Sequence, residues 1–199
     1  MALYDIPPSY RMRAPLLVLA SVLMIALPIE AQVPCVGQAS VLSADTATFL
    51  VQAPPGWTLD CEAGKDQGPL TVLYRVGESW RTGAAVMYVS VLTEQAPRSR
   101  SFTKRVDTEV ADWKRRTPDA RVTVLPSLAT KMGGTKKAAV RRFQSPATEL
   151  FEVVAYVPRG RIMPLLTMTA RSEMAFNDAL PAFRRLVQSY SPATLKIVP

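Results

Sequence analysis

Along the chain, apolar and polar residues alternate in short runs punctuated by proline and glycine, and only two stretches switch to helical spacing. Thr48-Phe-Leu-Val-Gln-Ala53 is a β-rich run that ends at Pro54-Pro-Gly-Trp57. Pro before Gly suits the centre of a type II turn, because proline presets φ and glycine accepts positive φ. Trp57-Thr-Leu-Asp-Cys61 then reads as the returning arm of a hairpin. Glu62 to Gly68 is a polar loop, Leu70–Val76 the next strand, and Gly77–Gly83 a glycine-bounded loop. Ala84-Ala-Val-Met-Tyr-Val-Ser-Val-Leu92 is strongly apolar and predicts a central strand.

Phe102, Val106, Val110 and Trp113 fall on one stripe at helical spacing and predict a helix over Phe102–Arg116. Ser101 suits its N-cap, and Pro118 stops it just beyond Thr117. Lys104, Arg105, Lys114, Arg115 and Arg116 lie largely off the stripe, so this helix presents a basic side to solvent. Strands follow at Arg121–Leu125, ending at Pro126, and at Lys137–Phe143 after a Gly133-Gly134 turn. Leu150–Val157 and Ile162–Ala170 flank Pro158-Arg-Gly-Arg161 as a hairpin, and Pro164 inside the second arm predicts an edge strand or a bulge. A closing helix is expected from about Ala179 to Tyr190, with Asp178 as N-cap and Pro181 in its first turn. Leu180, Phe183, Leu186, Val187 and Tyr190 form its buried stripe.

Strands, a helix, more strands and a closing helix, with no βαβα alternation, predict an α+β fold. The sheet is mostly antiparallel with helices packed on it. The beginning of the chain stands apart. Leu16–Leu27 is an apolar run behind Arg11 and Arg13, broken by Pro28 and followed by Ile29-Glu-Ala31. This is the three-part layout of a secretory signal peptide over residues 1–31, with a working domain over 32–199. Met12 makes a more compact start than Met1. The run is shorter than the roughly 18 to 20 apolar residues a membrane anchor needs. No small-residue box directly precedes Cys35, as a lipoprotein requires. The expected location is periplasmic or secreted, with no transmembrane segment after cleavage.

Export changes how composition is read. The 168 residues left after cleavage suit one domain, and 48% hydrophobic content argues against disorder. The net charge of +8 is concentrated. From Arg98 to Arg142 thirteen Lys or Arg face only Asp107, Glu109, Asp112 and Asp119, a local net of +9. Such a stretch reads either as a solvated basic surface or as a face for a phosphate-rich partner, an anionic membrane surface or an acidic protein. Nucleic acid is set aside as a partner, because export removes the chain from it and no zinc, helix-turn-helix or stacking motif is present. Cys35 and Cys61 are the only cysteines, and in an oxidising compartment they read as a disulfide. It closes a loop of about 25 residues, worth about 3 kcal/mol.

Histidine is absent, which removes the usual general base, the Ser-His and Cys-His nucleophiles and the commonest zinc ligand together. Ser101-Phe-Thr-Lys104 fits the S-x-x-K pattern of penicillin-binding enzymes, but its companions S-D-N and K-T-G are missing, and a helix cap explains the same residues. Asp60, Glu62 and Asp66 miss calcium-loop spacing and read as a solvated loop. Tyr74 and Tyr88 sit in strand patterns. Trp80 lies in a glycine-bounded loop where nothing in the sequence buries it, which makes it a candidate contact. No catalytic, metal-ligating or cofactor-binding residue is assigned.

Phe49-Leu-Val-Gln-Ala-Pro-Pro-Gly-Trp57 resembles the opening strand and turn of the family that includes the photosystem II extrinsic protein PsbP and the Ran-binding factor Mog. The strand Ala84–Leu92, the helix after it, the hairpin around Gly160 and the ending Phe183-Arg-Arg-Leu-Val-Gln-Ser-Tyr190 are similar to exported bacterial members. The resemblance implies an antiparallel sheet between helices and a binding or assembly role, and it carries over no catalytic residue. The expectation is therefore a non-enzymatic accessory protein. It contacts a protein or envelope component through Lys104, Arg105, Arg115, Arg116 and the loop around Trp80. The competing expectation is a small-molecule binder or a histidine-free enzyme with a cleft between sheet and helices, marked by carboxylates converging on one pocket.

Overall fold

The computed structural model describes residues 39–44, 47–63, 68–93, 101–132 and 137–193. The apolar run with its cleavage site, Cys35, Asp66 and the Gly133-Gly134 turn lie outside the described residues. In chain order the elements are β1 (Ala39–Ala44), β2 (Ala47–Gln52), β3 (Trp57–Asp60), β4 (Thr71–Arg75), β5 (Ala85–Thr93), α1 (Phe102–Arg116), β6 (Arg121–Leu128), β7 (Ala138–Ser145), β8 (Leu150–Tyr156), β9 (Ile162–Ala170), α2 (Glu173–Ser189) and β10 (Ser191–Ala193).

Seven strands form one antiparallel sheet in the order β3-β4-β5-β9-β8-β7-β6, and β1-β2-β10 form a second. The α+β fold expected from the strand and helix pattern is the fold observed. Alternation sends Met87, Val89, Val153, Ala155, Leu166 and Met168 to one face of the large sheet. There they meet Phe176, Phe183, Leu186 and Val187 of α2, and Phe49 and Val51 of β2. The rings of Phe49 and Tyr190 lie 5.2 Å apart and join the small sheet to the end of α2. On the other face Phe143, Val154, Tyr156 and Met163 receive Val106 of α1, flanked by Phe102, Val110 and Trp113. The helix stripe read from the sequence is the stripe that packs, and the Trp113 ring lies 4.5 Å from that of Phe143.

Several local expectations change. The turn Pro54–Trp57 forms, with Gly56 at φ 78° and the Trp57 N–H on the Pro54 carbonyl at 3.1 Å. Yet β2 and β3 are not a hairpin: β2 pairs with β1 and β10, whereas β3 pairs with β4. The turn therefore moves the chain from one sheet to the other. β6 does not stop at Pro126 but runs to Leu128, with a register shift between Leu125 and Leu128. Pro126 falls inside that irregular stretch of an edge strand, where no regular pair with β7 is interrupted.

Pro164 is neither on an edge strand nor at a bulge. β9 lies inside the sheet, and Pro164 stands opposite Val91 in continuous register. Its carbonyl accepts the Val157 N–H at 2.9 Å, and a strand residue's N and C=O point to the same side. The missing donor thus faces the point where β8 has already ended. The closing helix begins six residues earlier than expected, at Glu173 rather than Ala179. Ser172, not Asp178, is its N-cap and accepts the Ala175 N–H at 3.1 Å. Pro181 consequently lies inside α2. Pro181 is exposed, as is Asn177, whose carbonyl loses its N–H partner to the proline, so water reaches the gap. β1 and β10 were not expected from the sequence at all.

Candidate functional site

Ser101 caps α1 by accepting the Lys104 N–H at 3.3 Å, which gives the S-x-x-K pair a structural task. Lys104, Lys114, Arg115 and Arg116 are exposed, the last three in the final turn of the helix, where the macrodipole favours cations. Arg115 forms an ion pair with Asp112 one turn back, at a site open enough that solvent screens most of its energy. Arg105 is different. Its guanidinium donates to the carbonyls of Gly160 at 2.8 Å and Arg161 at 3.3 Å, so it ties α1 to the β8–β9 hairpin. Of the four predicted helix contacts, three are exposed, Arg115 while paired with Asp112, and one is held by the fold.

Trp80 sits half-buried in the β4–β5 loop with the Arg81 guanidinium 5.4 Å from its ring centre. That loop is firmly built. Gly83 N–H bonds the Ser79 carbonyl at 2.8 Å, the Ser79 and Thr82 hydroxyls lie 2.7 Å apart, and Arg171 of the β9–α2 junction bonds the Arg81 carbonyl. Gly83 is buried, and a Cβ there would lie 3.0 Å from the Ser79 carbonyl. No hydrogen bond, ion pair or ring contact joins this loop to α1 among the described residues, so the predicted contacts occupy separate places. Asp60 is bound within the protein: Oδ1 accepts the N–H groups of Glu62 and Ala63, and Oδ2 accepts the Tyr74 hydroxyl at 2.8 Å. Burial pushes its carboxyl up, but these hydrogen bonds outweigh it and leave the pKa below the usual value. Cys61 follows β3, its sulfur 3.2 Å from Ser40 Oγ of β1 and 3.6 Å from Thr71 Oγ1 of β4. It is not a free thiol, and its expected partner Cys35 lies outside the described residues.

The residues that build two arrangements were not read from the sequence. The first is a groove of about 460 Å³ between α2 and strands β6–β8. Leu125, Val140, Val153, Phe176, Leu180 and Phe183 make it apolar, and Arg142, Arg184 and Gln188 supply its polar atoms. Arg142 reaches over the Phe176 ring at 4.7 Å and donates to Glu173 Oε1 at 2.9 Å. The signal was available: alternation in β7 places Arg142 in the same phase as buried Ala138 and Val140. The second is a polar cluster on the opposite face. Glu152 is buried in β8, and its Oε2 accepts the Thr169 hydroxyl at 3.0 Å and the Tyr88 hydroxyl at 3.4 Å. Burial pushes the Glu152 carboxyl up against the pull of those two donors and of Arg116. Burial and the Glu152 charge together push the Tyr88 hydroxyl up. A lone charge in the apolar run Leu150–Val157 was its signal.

The perturbed carboxylates and the groove therefore lie on opposite faces of the sheet. Among the described residues no carboxylate lines the groove, and Glu152 is not in it. No helix among the described residues is long and apolar enough to cross a membrane.

No protein-family model and no curated protein matches the chain. Among solved structures, the solution structure of cyanobacterial PsbP (CyanoP) from Synechocystis sp. PCC 6803 is similar over 80% of this chain and 95% of that one. The TM-score is 0.53 at 11% sequence identity. At that identity the likeness is one of architecture, and the chain has a PsbP-like α+β fold.

Proposed function

We propose that this chain is a non-enzymatic binding or assembly protein of the periplasm or extracellular space. It engages an acidic protein or anionic envelope component through the exposed cations of α1. The observation that carries this reading is the last turn of α1, where Lys114, Arg115 and Arg116 are all exposed, on a helix anchored to the sheet by Val106, Val110 and Trp113. A rigid helix presenting several cations attracts an acidic surface and orients its approach. The N-terminal signal layout supports the location, and the fold shared with cyanobacterial PsbP agrees with a role of this kind. Catalysis is disfavoured by the separation of the groove from the perturbed carboxylates Asp60 and Glu152, since an acid–base site needs both in reach of one substrate.

Replacing Arg115→Glu and Arg116→Glu together is expected to reduce capture of envelope components from intact cells by about tenfold, with a crosslinker and mass spectrometry as the readout. Arg115→Gln with Arg116→Gln controls for the helix dipole. Capture at the parental level by the doubly reversed, folded variant overturns the reading.

A further inference from the structure

β6 is the terminal strand of the seven-stranded sheet, and among the described residues no hydrogen bond reaches its outer edge. Edge strands are normally blunted, because unpaired N–H and C=O groups template a further strand. Here Pro126 and the register shift blunt only the second half. From Arg121 to Leu125 the edge pairs regularly with β7 on one side and is open on the other, with Val124 69% exposed. The groove beside α2 begins where that open stretch ends, with Leu125 in its wall. Exposed Arg121 lies at one end of the open edge, exposed Arg184 stands at the groove, and no ion pair engages Arg184 among the described residues.

The geometry points to β6 and this groove as a single docking site for an extended, acidic segment of a partner protein, added to the sheet as an eighth strand. Main-chain hydrogen bonds to Arg121–Leu125 supply the attachment, and an apolar side chain of the segment enters the groove between Leu125 and Leu180. Acidic residues two positions to either side of it share its face and meet Arg121 and Arg184, since Arg121 is in phase with Leu125 on the groove side. A second copy of this chain is the poorer occupant. β6 against β6 would bring the same cations together on molecules that each carry +8. The inference rests on the proposed partner class but uses a surface distinct from α1.

The test uses a fluorescent peptide of about eight residues with valine at its centre, glutamate two positions to either side and threonine between. Anisotropy should show it binding, with about tenfold weaker binding when lysine replaces glutamate and about tenfold weaker binding to Arg184→Glu or Leu180→Glu. N-methylation of alternate amides should abolish binding in one phase and spare it in the other, as only a strand would. Hydrogen exchange should slow at residues 121–125 on addition of the peptide. Loss in neither N-methyl phase, equal binding of the lysine peptide, or β6-dependent dimerisation in sedimentation overturns the inference. Laurate that displaces the peptide without protecting residues 121–125 marks the groove as an amphiphile site and also overturns it. Peptide binding is independent of Arg115 and Arg116. A failed peptide test therefore leaves the α1 reading standing, and a failed capture test leaves this one.

Discussion

Glu152 lies inside the protein with two hydroxyl donors on a single oxygen, and burial makes its charged form costly. Its folded pKa is raised above the ordinary value of 4.5, so the folded state holds this proton more tightly than the unfolded chain does. The sign follows from linkage. The stabilisation from the protonated carboxyl is complete below the unfolded value and is lost as pH rises through the folded one. Glu152→Gln keeps an oxygen for Thr169 and Tyr88 and removes the titration. Its thermal midpoint relative to the parent should therefore climb as pH rises above 4.5 and level off once the folded parent has ionised. A difference independent of pH would show that Glu152 ionises equally in both states. Burial likewise pushes the Tyr190 hydroxyl up to about 12, so it stays protonated throughout that range.

At the scale of elements, α2 shows how local rules compete. Asp178 followed by an apolar stripe is a legitimate start signal, and so is Ser172 with Glu173 in the first turn. The earlier start prevails because it buries Phe176 and Ala179 against the sheet, which outweighs the cost of keeping Pro181 inside the helix. Ser172→Ala should cost about 1 kcal/mol in urea denaturation, whereas Asp178→Ala should change stability by less than about 0.5 kcal/mol. The reverse order would return the start of the helix to Asp178. α1, by contrast, was legible to the residue, because Ser101, the apolar stripe and Pro118 all agree. β6 was cut short at Pro126 because a proline ends a strand only where a ladder needs its N–H, and position in the sheet decides that.

Across the whole molecule, the basic stretch Arg98–Arg142 looks like one patch in the sequence but is divided by the fold. α1 carries part of it over one face of the large sheet, while β7 sends Arg141 to that side and Arg142 to the groove side. Cys61 occupies a seam, since Ser40 belongs to the small sheet and Thr71 to the large one. A Cys35–Cys61 bridge would pin the chain ahead of β1 to that seam. Cys35→Ser is expected to lower unfolding free energy by about 3 kcal/mol, and reductant should destabilise the parent by a similar amount without affecting the variant. Two titratable thiols in the denatured, unreduced parent would remove the bridge from the account.

What the residues determine by themselves is what depends on neighbours in sequence. This covers the strand and helix periods, the Ser101 cap, the Pro54–Trp57 turn, the absence of imidazole chemistry and the exposed cations of α1. What only the tertiary structure decides is which distant segments share a face. Whether the turn after β2 makes a hairpin or crosses between sheets depends on β1, β4 and β10, up to 140 residues away in sequence. Pro164 is harmless because β8 ends beside it, and Arg105 is a tie because Gly160 lies within reach. The groove exists only where α2 crosses the end of the sheet at β6. Side-chain chemistry is local and can be read along the chain, whereas a site is a product of packing, which periodicity alone does not encode.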